Sequence, residues 1–570
     1  MGSRLLFRGY GVGERMRSID AALVGTDSLI VVDEAHLSAP FLTTLRDALA
    51  INASAVGELP TVVTMSASPD SEDRDVHGIS RADEEHAVAS VRLLAPKSLH
   101  TVSVSSSGTG AAAATAEALT YWALQLGGPG KVIGVVANTV AMAREVFELL
   151  RGEMPDKCCV LLTGRVRPLD REYLLAAWYP RIKSFAERDP EAELYVVATQ
   201  TIEAGADIDV DGLVTQAGSL PATVQRLGRL NRLGRRGESH AVVVRAEKLA
   251  DHVYGPAADE TWAWLTKLAE PKAHQRGLAL GALALAGVSP SRLRGLVKAI
   301  PAAQQERMRG QRPYVLVLSD AALSAWARTS PAPDPDAPVA PYLHGIGAAG
   351  PTVLMAWRGD LQGDDPQEWI ANVERMPPIA DEAIEIPISA LRRWLASFGN
   401  GKGGQSVAPA LAMSDLESER ADGLDEANEA AASSARLLRF RGTDESEAVC
   451  AADIGPGDFL IAKSSWGGCD RYGWNPGSPI SVVDVADFAG GSRRGAVVRV
   501  SQTLVNAVRE LTPELTQGIE GFVSEITADL DEEIIDNKTY QRILNEAIRD
   551  DKRPASSAGA QKACEFWRAG

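Results

Sequence analysis

The chain has 570 residues, 45% of them apolar, and a net charge of −17; that length accommodates roughly three to four domains with buried cores. The negative balance excludes a general nucleic-acid coat, because phosphate affinity comes from neutralising contacts by Lys and Arg. Five cysteines without a C-x-x-C make neither a disulfide framework nor a zinc site. The start, Met1-Gly2-Ser3, has no basic-then-apolar signal layout, so a cytoplasmic protein is expected.

Taken in chain order, the apolar runs Leu29 to Val32 and Leu59 to Met65 read as two buried strands ending in the polar loops that begin at Asp33 and Ser66, an arrangement that suggests a parallel sheet. Ala111 to Leu126 reads as a helix. After it, KVIGVVANT, CCVLLTGR, ELYVVATQ, GLVTQAG and HAVVVRA read as strands. The stretches AMAREVFELLRG, LDREYLLAAWY and LPATVQRLGRLNRL read as helices between them. This alternation is the signature of a doubly wound α/β domain. The longest apolar stretch, Gly277 to Ser289, is too short to cross a bilayer and reads as a buried helix, so no membrane contact is expected.

The expected organisation is a lobe over 1–108, a second α/β lobe over 109–250, and a mostly helical region over 251–413 with a Pro-rich linker at 330–341. An acidic linker at 414–435 follows, with seven acids between Ser414 and Ala430 against Arg420 alone. A β-rich module over 436–505, rich in turns, and a helical tail over 506–570 complete the chain.

Three stretches carry chemistry. In LIVVDEAHLSAPF, Asp33 and Glu34 stand where open α/β sheets bind ligands, at the carboxyl end of a strand. An aspartate there can hold Mg²⁺ through water, and the neighbouring glutamate can polarise an attacking water. In LPATVQRLGRLNRLG, a helix opened by Pro221 and closed by Gly234 places Gln225, Arg229 and Arg232 on one face, and guanidinium groups suit a phosphate that gains charge during transfer. The segment Gln225 to Gly237 holds five arginines and no acid. In VVATQTIEAGADIDV, the loop after Ala198 offers Thr199, Gln200 and Thr201 to a nucleic-acid backbone, and Asp207 can accept from a ribose. Ser66 and Ser68 add two hydroxyls after the earlier strand. Each stretch taken singly is also compatible with a solvated loop or a basic helix.

Their order is the decisive feature: D-E-A-H, then S-A-S, then A-T-x-x-x-x-x-G-x-D, then Q-R-x-G-R-x-x-R, in one direction at domain-compatible spacing. The chain from about Ser3 to Glu247 resembles a superfamily 2 helicase, whose two RecA-like lobes clamp ATP between them and nucleic acid across them. With LTGRVRPLDRE, GPGDFLIA and GGCDRYGWNP added, it looks most like the CRISPR-associated helicase of type I interference systems, I-G (formerly I-U) subtype.

The resemblance implies an α/β fold of two RecA-like parallel-sheet lobes, an ATP-dependent DNA helicase, and ATP with Mg²⁺ as cofactors. Its implied partners are a DNA single strand, a guide-RNA surveillance complex and an HD-type nuclease on a separate polypeptide. By the same resemblance Asp33 and Glu34 handle magnesium and water. His36, Gly205, Asp207 and Gln225 lie at the nucleotide, with Arg229 and Arg232 facing its phosphates. Ser66 and Ser68 couple hydrolysis to motion, while Thr163, Arg165, Arg167, Thr199 and Gln200 touch the DNA strand.

The departures are as informative. No G-x-x-x-x-G-K-[ST] phosphate loop occurs in the sequence; GGPGKV at Gly127 lacks the final hydroxyl residue, and GNGKGG at Gly399 has Gly after Lys, so both read as turns. None of the eight histidines is followed by Asp, so no HD nuclease centre is expected. The expectations are an amino-terminally truncated first lobe with exposed hydrophobic edges, and a polypeptide that hydrolyses ATP poorly unless another chain supplies the loop. The alternatives are a non-catalytic nucleic-acid-binding or recruitment scaffold derived from such a helicase, and a superfamily 2 helicase outside CRISPR defence.

Overall fold

The computed structural model describes residues 2–9, 13–52, 57–66, 76–105, 110–247, 249, 251–268, 285–310, 314–331, 333, 336–346, 351–361, 363, 365–399, 436–442 and 445–484. Ser68, the acidic segment 414–435 and the expected helical tail 506–570 lie outside the described residues. Among the described residues no helix is long and apolar enough to cross a membrane. The fold is α/β. By internal contacts it divides into one unit of 1–138, 189–195 and 200–349, and a second of 139–188, 196–199 and 350–570.

In the first unit, β1 (Leu29–Val32) and β2 (Thr61–Thr64) pair in parallel, with Leu29 opposite Thr61 and Val32 opposite Thr64. The period of two along β1 puts Ile30 and Val32 against Leu42 and Leu45 of the helix Ala39–Ile51. Leu29, Val31, Val63 and Met65 are exposed. The other side of that helix supports a second small core: Ala48 clusters with Leu318, Leu323, Trp326 and Val339. Asp336 and Val339, from the Pro-rich segment expected as a linker, take part in this packing. The Arg8 guanidinium forks onto Asp336 at 2.8 and 2.9 Å and donates to the Trp326 carbonyl at 2.7 Å.

The larger sheet has seven strands, six of them parallel. They are β3 (Lys97–Val104), β4 (Val132–Val136), β5 (Cys159–Leu162), β6 (Leu194–Ala198), β7 (Gly212–Gln216), β8 (Ser239–Ala246) and β9 (Leu285–Gly287), in the spatial order β5-β6-β4-β7-β8-β3-β9. Strands β4 and β6 are buried at every residue, as a sheet covered on both faces requires. Strand β3 was not expected: KSLHTVSV has its apolar residues Leu99, Val102 and Val104 separated by polar ones and lies inside the segment assigned to the first lobe, yet it pairs with β8 over eight residues. Residues 277–284 of the stretch expected as a buried helix lie outside the described residues; its described end, Leu285–Gly287, is β9, antiparallel to β3.

The second unit holds a five-stranded sheet of β10 (Thr352–Arg358), β11 (Ile384–Pro387), β12 (Arg436–Phe440), β13 (Glu447–Cys450) and β14 (Phe459–Lys463), in the order β11-β10-β14-β12-β13. Two of these strands come from the region expected to be helical. The helix Ile388–Gly399 covers this sheet and buries Leu391, Trp394 and Leu395 against Met355, Trp357 and Leu460. A short hairpin, β15 (Cys469–Asp470) and β16 (Gly473–Trp474), follows.

Candidate functional site

Strand β1 delivers Asp33 and Glu34 to its carboxyl end. The Asp33 carboxylate accepts from the Glu34 N–H at 2.9 Å, and Glu34 itself takes a left-handed backbone, φ 46 and ψ 52. A non-glycine residue there costs roughly 1–3 kcal/mol and persists where its surroundings fix it. Here they do: the Ala35 N–H donates to the Met65 carbonyl at 2.9 Å, tying the acidic turn to the end of β2. The turn aims the Glu34 carboxylate at the helix Leu220–Arg229, where Gln225 Nε2 donates to Glu34 Oε2 at 2.7 Å across 191 residues of sequence. His36 Nδ1 lies 3.5 Å from the same carboxylate and 3.2 Å from Ser66 Oγ. Ser66, His36, Glu34 and Gln225 thus form one polar chain.

The helix starts as its sequence expects. Ser219 caps it, accepting from the Ala222 N–H, and Pro221 occupies the first turn. Its end differs. The backbone leaves the helix after Arg229, because the Arg229 carbonyl and the Asn231 N–H pair with Val210 at 3.0 and 2.9 Å. Asn231 turns left-handed, φ 40, and Gly234, φ 68, lies so close to Val91 that a Cβ would fall 1.8 Å from its carbonyl oxygen. The expectation of one helical face bearing Gln225, Arg229 and Arg232 is corrected on this ground: Arg232 stands on the following turn. Its N–H donates to Asp209 at 2.7 Å, and its guanidinium donates to the Ala206 carbonyl at 3.2 Å and lies 3.7 Å from Asp207.

The two guanidinium groups differ in exposure, Arg232 being partly exposed. Arg229 is buried and spends Nε and Nη2 on the carbonyls of Ile202 and Glu203, at 2.8 and 2.6 Å. Burial, followed by Arg232, pulls its guanidinium below the usual range, against the attraction of Glu34, Asp207 and Asp33. Gly205, φ 71, makes the turn between the carbonyls that hold Arg229 and the pair Asp207–Arg232. Beneath it, Arg226 is fully buried and donates to Glu203 at 2.8 Å, to Thr215 and the Gln216 carbonyl at 2.9 Å, and to Tyr254 at 3.1 Å. Burial pushes the Tyr254 hydroxyl up to about 12. Glu203, Arg226 and Tyr254 went unassigned in the sequence, although the first two sit inside the motifs that flank them.

Asp33 is exposed, and no group of three or more His, Cys, Asp or Glu among the described residues is arranged to hold a metal ion. Mg²⁺ is commonly held by one or two carboxylates together with water and phosphate oxygens; Asp33, the exposed carboxylate of this turn, could take that part, and the ion would then neutralise phosphate charge there.

The residues assigned to a DNA strand are of two kinds. Thr163, Arg165, Arg167 and Thr199 belong to the second unit, where the Thr199 N–H donates to the Leu162 carbonyl at 3.3 Å, so two loops leave β5 and β6 side by side. Arg165 is half-buried. Arg167 is 1% exposed and grips Asp170 at 2.5 and 3.2 Å and the Val483 carbonyl at 2.7 Å, which corrects its reading as a strand contact: its donors are engaged inside the protein. Gln200 belongs to the first unit and donates to the Asn138 carbonyl at 2.8 Å. The lookalike GGPGKV is a turn between the helix Ala111–Leu126 and β4, as expected.

Residues 129–235 match the family model described as CRISPR-associated nuclease/helicase Cas3, C-terminal. The segment is Cas3-like. This Cas3-like segment contains the loops at Thr163 and Thr199 and the helix bearing Gln225 and Arg229, while Asp33 and Glu34 lie upstream of it. No curated protein matches the chain. Among solved structures, that of T. fusca Cas3 is 18% identical with a TM-score of 0.40 over 64% of this chain and 48% of that one. T. fusca Cas3-ATP is 17% identical, TM-score 0.40, over 68% and 50%. A CRISPR RNA-guided surveillance complex, pre-nicking, is 18% identical, TM-score 0.39, over 68% and 52%. The chain spans about half the length of these solved structures.

Proposed function

We propose that the chain is the motor part of an ATP-dependent helicase or translocase that draws on a DNA single strand in a type I CRISPR interference system, recruited by a guide-RNA surveillance complex. The observation that carries the reading is the 2.7 Å bond between Gln225 and Glu34, with Arg229 on the next turn of the same helix. It joins an acidic turn suited to Mg²⁺ and water with a helix suited to phosphate charge, and it lies within one unit of the fold. In this reading Asp33 holds Mg²⁺, Glu34 orients the attacking water, and Arg229 and Arg232 stabilise the transferring phosphoryl group. Arg229 leaves the carbonyls of Ile202 and Glu203 to do so. Ser66 reports the state of Glu34 through His36. The match of residues 129–235 to the Cas3 family model supports the same reading.

The 570 residues contain no phosphate loop, so by themselves they turn over ATP slowly. The test is DNA-stimulated ATP hydrolysis by the purified chain, alone and with a separate polypeptide carrying G-x-x-x-x-G-K-[ST]. The expected result is little turnover alone, restoration by the second polypeptide, and loss of the restored activity in Arg229→Ala. Robust turnover by the chain alone, abolished by Glu34→Gln, would keep the site and refute the dependence on a second polypeptide. A second reading is a recruitment scaffold derived from such a helicase. Under it, DNA binding persists while no added polypeptide restores hydrolysis.

A further inference from the structure

The hairpin β15–β16 is fastened to the Cas3-like segment by a partly buried ion pair that ties Asp470 of the GGCDRYGWNP stretch to Arg144. Arg144, on the helix Val140–Glu153 and 3% exposed, forks onto both Asp470 oxygens at 2.8 and 3.0 Å. It also donates to the carbonyls of Trp474 at 2.9 Å and Gly473 at 3.0 Å. Asp470 is itself held in shape by the Tyr472 N–H at 2.8 Å and Asn475 Nδ2 at 2.9 Å. So held, the hairpin reaches the loop after β5, where the Trp474 N–H donates to the Arg165 carbonyl at 2.9 Å. The approach is close enough that Gly473, φ 98, has no room for a side chain: a Cβ would lie 1.8 Å from that same carbonyl oxygen. Two residues on, Arg167 is anchored to Asp170 and to the Val483 carbonyl.

We propose that the hairpin is a positioning clamp, in which Asp470 through Arg144, and Gly473 and Trp474 directly, set the backbone of Thr163–Arg167 so that Arg165 meets a phosphate of a DNA single strand. The inference rests on the reading above that this loop touches DNA. Asp470, Arg144 and Gly473 touch no nucleic acid themselves. They act by fixing the backbone that carries Arg165, since an arginine on an unfixed loop loses its geometric match to phosphate along with part of its affinity. The clamp also makes strand contact depend on a module more than 300 residues further along the chain.

The test is binding of a fluorescein-labelled oligothymidine to the full chain by anisotropy over a salt series, for the parent, Arg165→Ala, Asp470→Asn and Gly473→Ala. Asp470→Asn keeps the side chain's size and loses its charge, and it guards against the case in which Gly473→Ala fails to fold. Both clamp variants are expected to lose roughly tenfold in affinity. The slope of log affinity against log salt should become shallower by about 0.7, the value of one phosphate contact on a single strand. Asp470→Glu should restore part of both. A change of stability alone would not alter that slope. Clamp variants with parental affinity and slope, while Arg165→Ala weakens binding, would overturn the clamp and leave the DNA reading intact. An Arg165→Ala variant without effect would overturn both.

Discussion

Replacing Arg226 by Met removes the cation from the centre of the platform under Arg229. In the parent protein its guanidinium is completely buried and satisfies Glu203, Thr215, the Gln216 carbonyl and Tyr254. Burial works against its charge, but Tyr254 and Glu203 outweigh it and the guanidinium is held above its ordinary value. Methionine fills much of the volume and leaves the Glu203 carboxylate, with its side chain 11% exposed, without a counter-ion. Breaking one partner out of a buried pair costs about 3–5 kcal/mol, and each 1.4 kcal/mol is about tenfold in an equilibrium. The opened fraction of the first unit should therefore rise between about a hundredfold and a few thousandfold. Native-state proteolysis reads this directly, because cleavage tracks the opened population when reclosing is fast. Adding Glu203→Gln to Arg226→Met removes the stranded charge and should recover a large part of the loss. A single variant cleaved within a few-fold of the parent, or a double variant no better than the single, would refute the reasoning.

Stability should fall on acidification through His100. Burial, followed by the neighbouring His240, holds its imidazole down to about 4, against Glu238. Between the ordinary value of 6.5 and about 4 the unfolded chain takes up a proton that the folded one refuses, so up to about 3 kcal/mol is lost as pH falls through that window. His100→Phe should flatten this limb of a urea-midpoint profile, and an unchanged limb would count against it. Arg167→Ala should destabilise the second unit by about 3–5 kcal/mol by stranding Asp170, with partial recovery in Arg167→Ala/Asp170→Asn; melting curves that coincide with the parent would contradict this. Gly234→Ala should lower the urea midpoint far more than Gly205→Ala. Both have positive φ, but only at Gly234 does a Cβ meet backbone, while nothing lies within 4 Å of the one at Gly205. Equal effects would show that backbone conformation alone decides.

Much of the fold was legible because β4, β5, β6 and β7 are short apolar runs bounded by turn residues, and the helix Ala111–Leu126 has the bounds that its pattern predicts. Strand β3 was not legible: Ser98, His100 and Ser103 break its apolar run, and it is buried only because β8 and β9 flank it. Strands β10 and β11 were hidden in a region of helical composition, and β10 is an interior strand of its sheet by pairing with β14, about a hundred residues later, a contact with no local signal. At the site, the sequence named Glu34 and Gln225, but their meeting depends on a left-handed turn at Glu34 that no propensity anticipates. The helix over Gln225 to Arg232 looked continuous because nothing local marks Arg229 as its end; Val210, nineteen residues earlier, takes the hydrogen bonds that the next turn would have used. Arg167 was assigned to a DNA strand although Asp170, its partner, stands only three residues on, whereas the partner of Arg226, Glu203, is 23 residues away and is brought to it only by folding.

The claim on which the rest depends is that Asp33, Glu34, Gln225 and Arg229 border one nucleotide. Photolabelling of the full chain with an azidoanilide attached to the γ-phosphate of ATP, at saturating concentration with Mg²⁺, tests it, with labelled peptides located by mass spectrometry. Label in both the peptide around Asp33–His36 and the peptide around Gln225–Arg232, competed away by unlabelled ATP, is the expected result. Competed label confined to other segments, or label in these two that ATP does not displace, would contradict it.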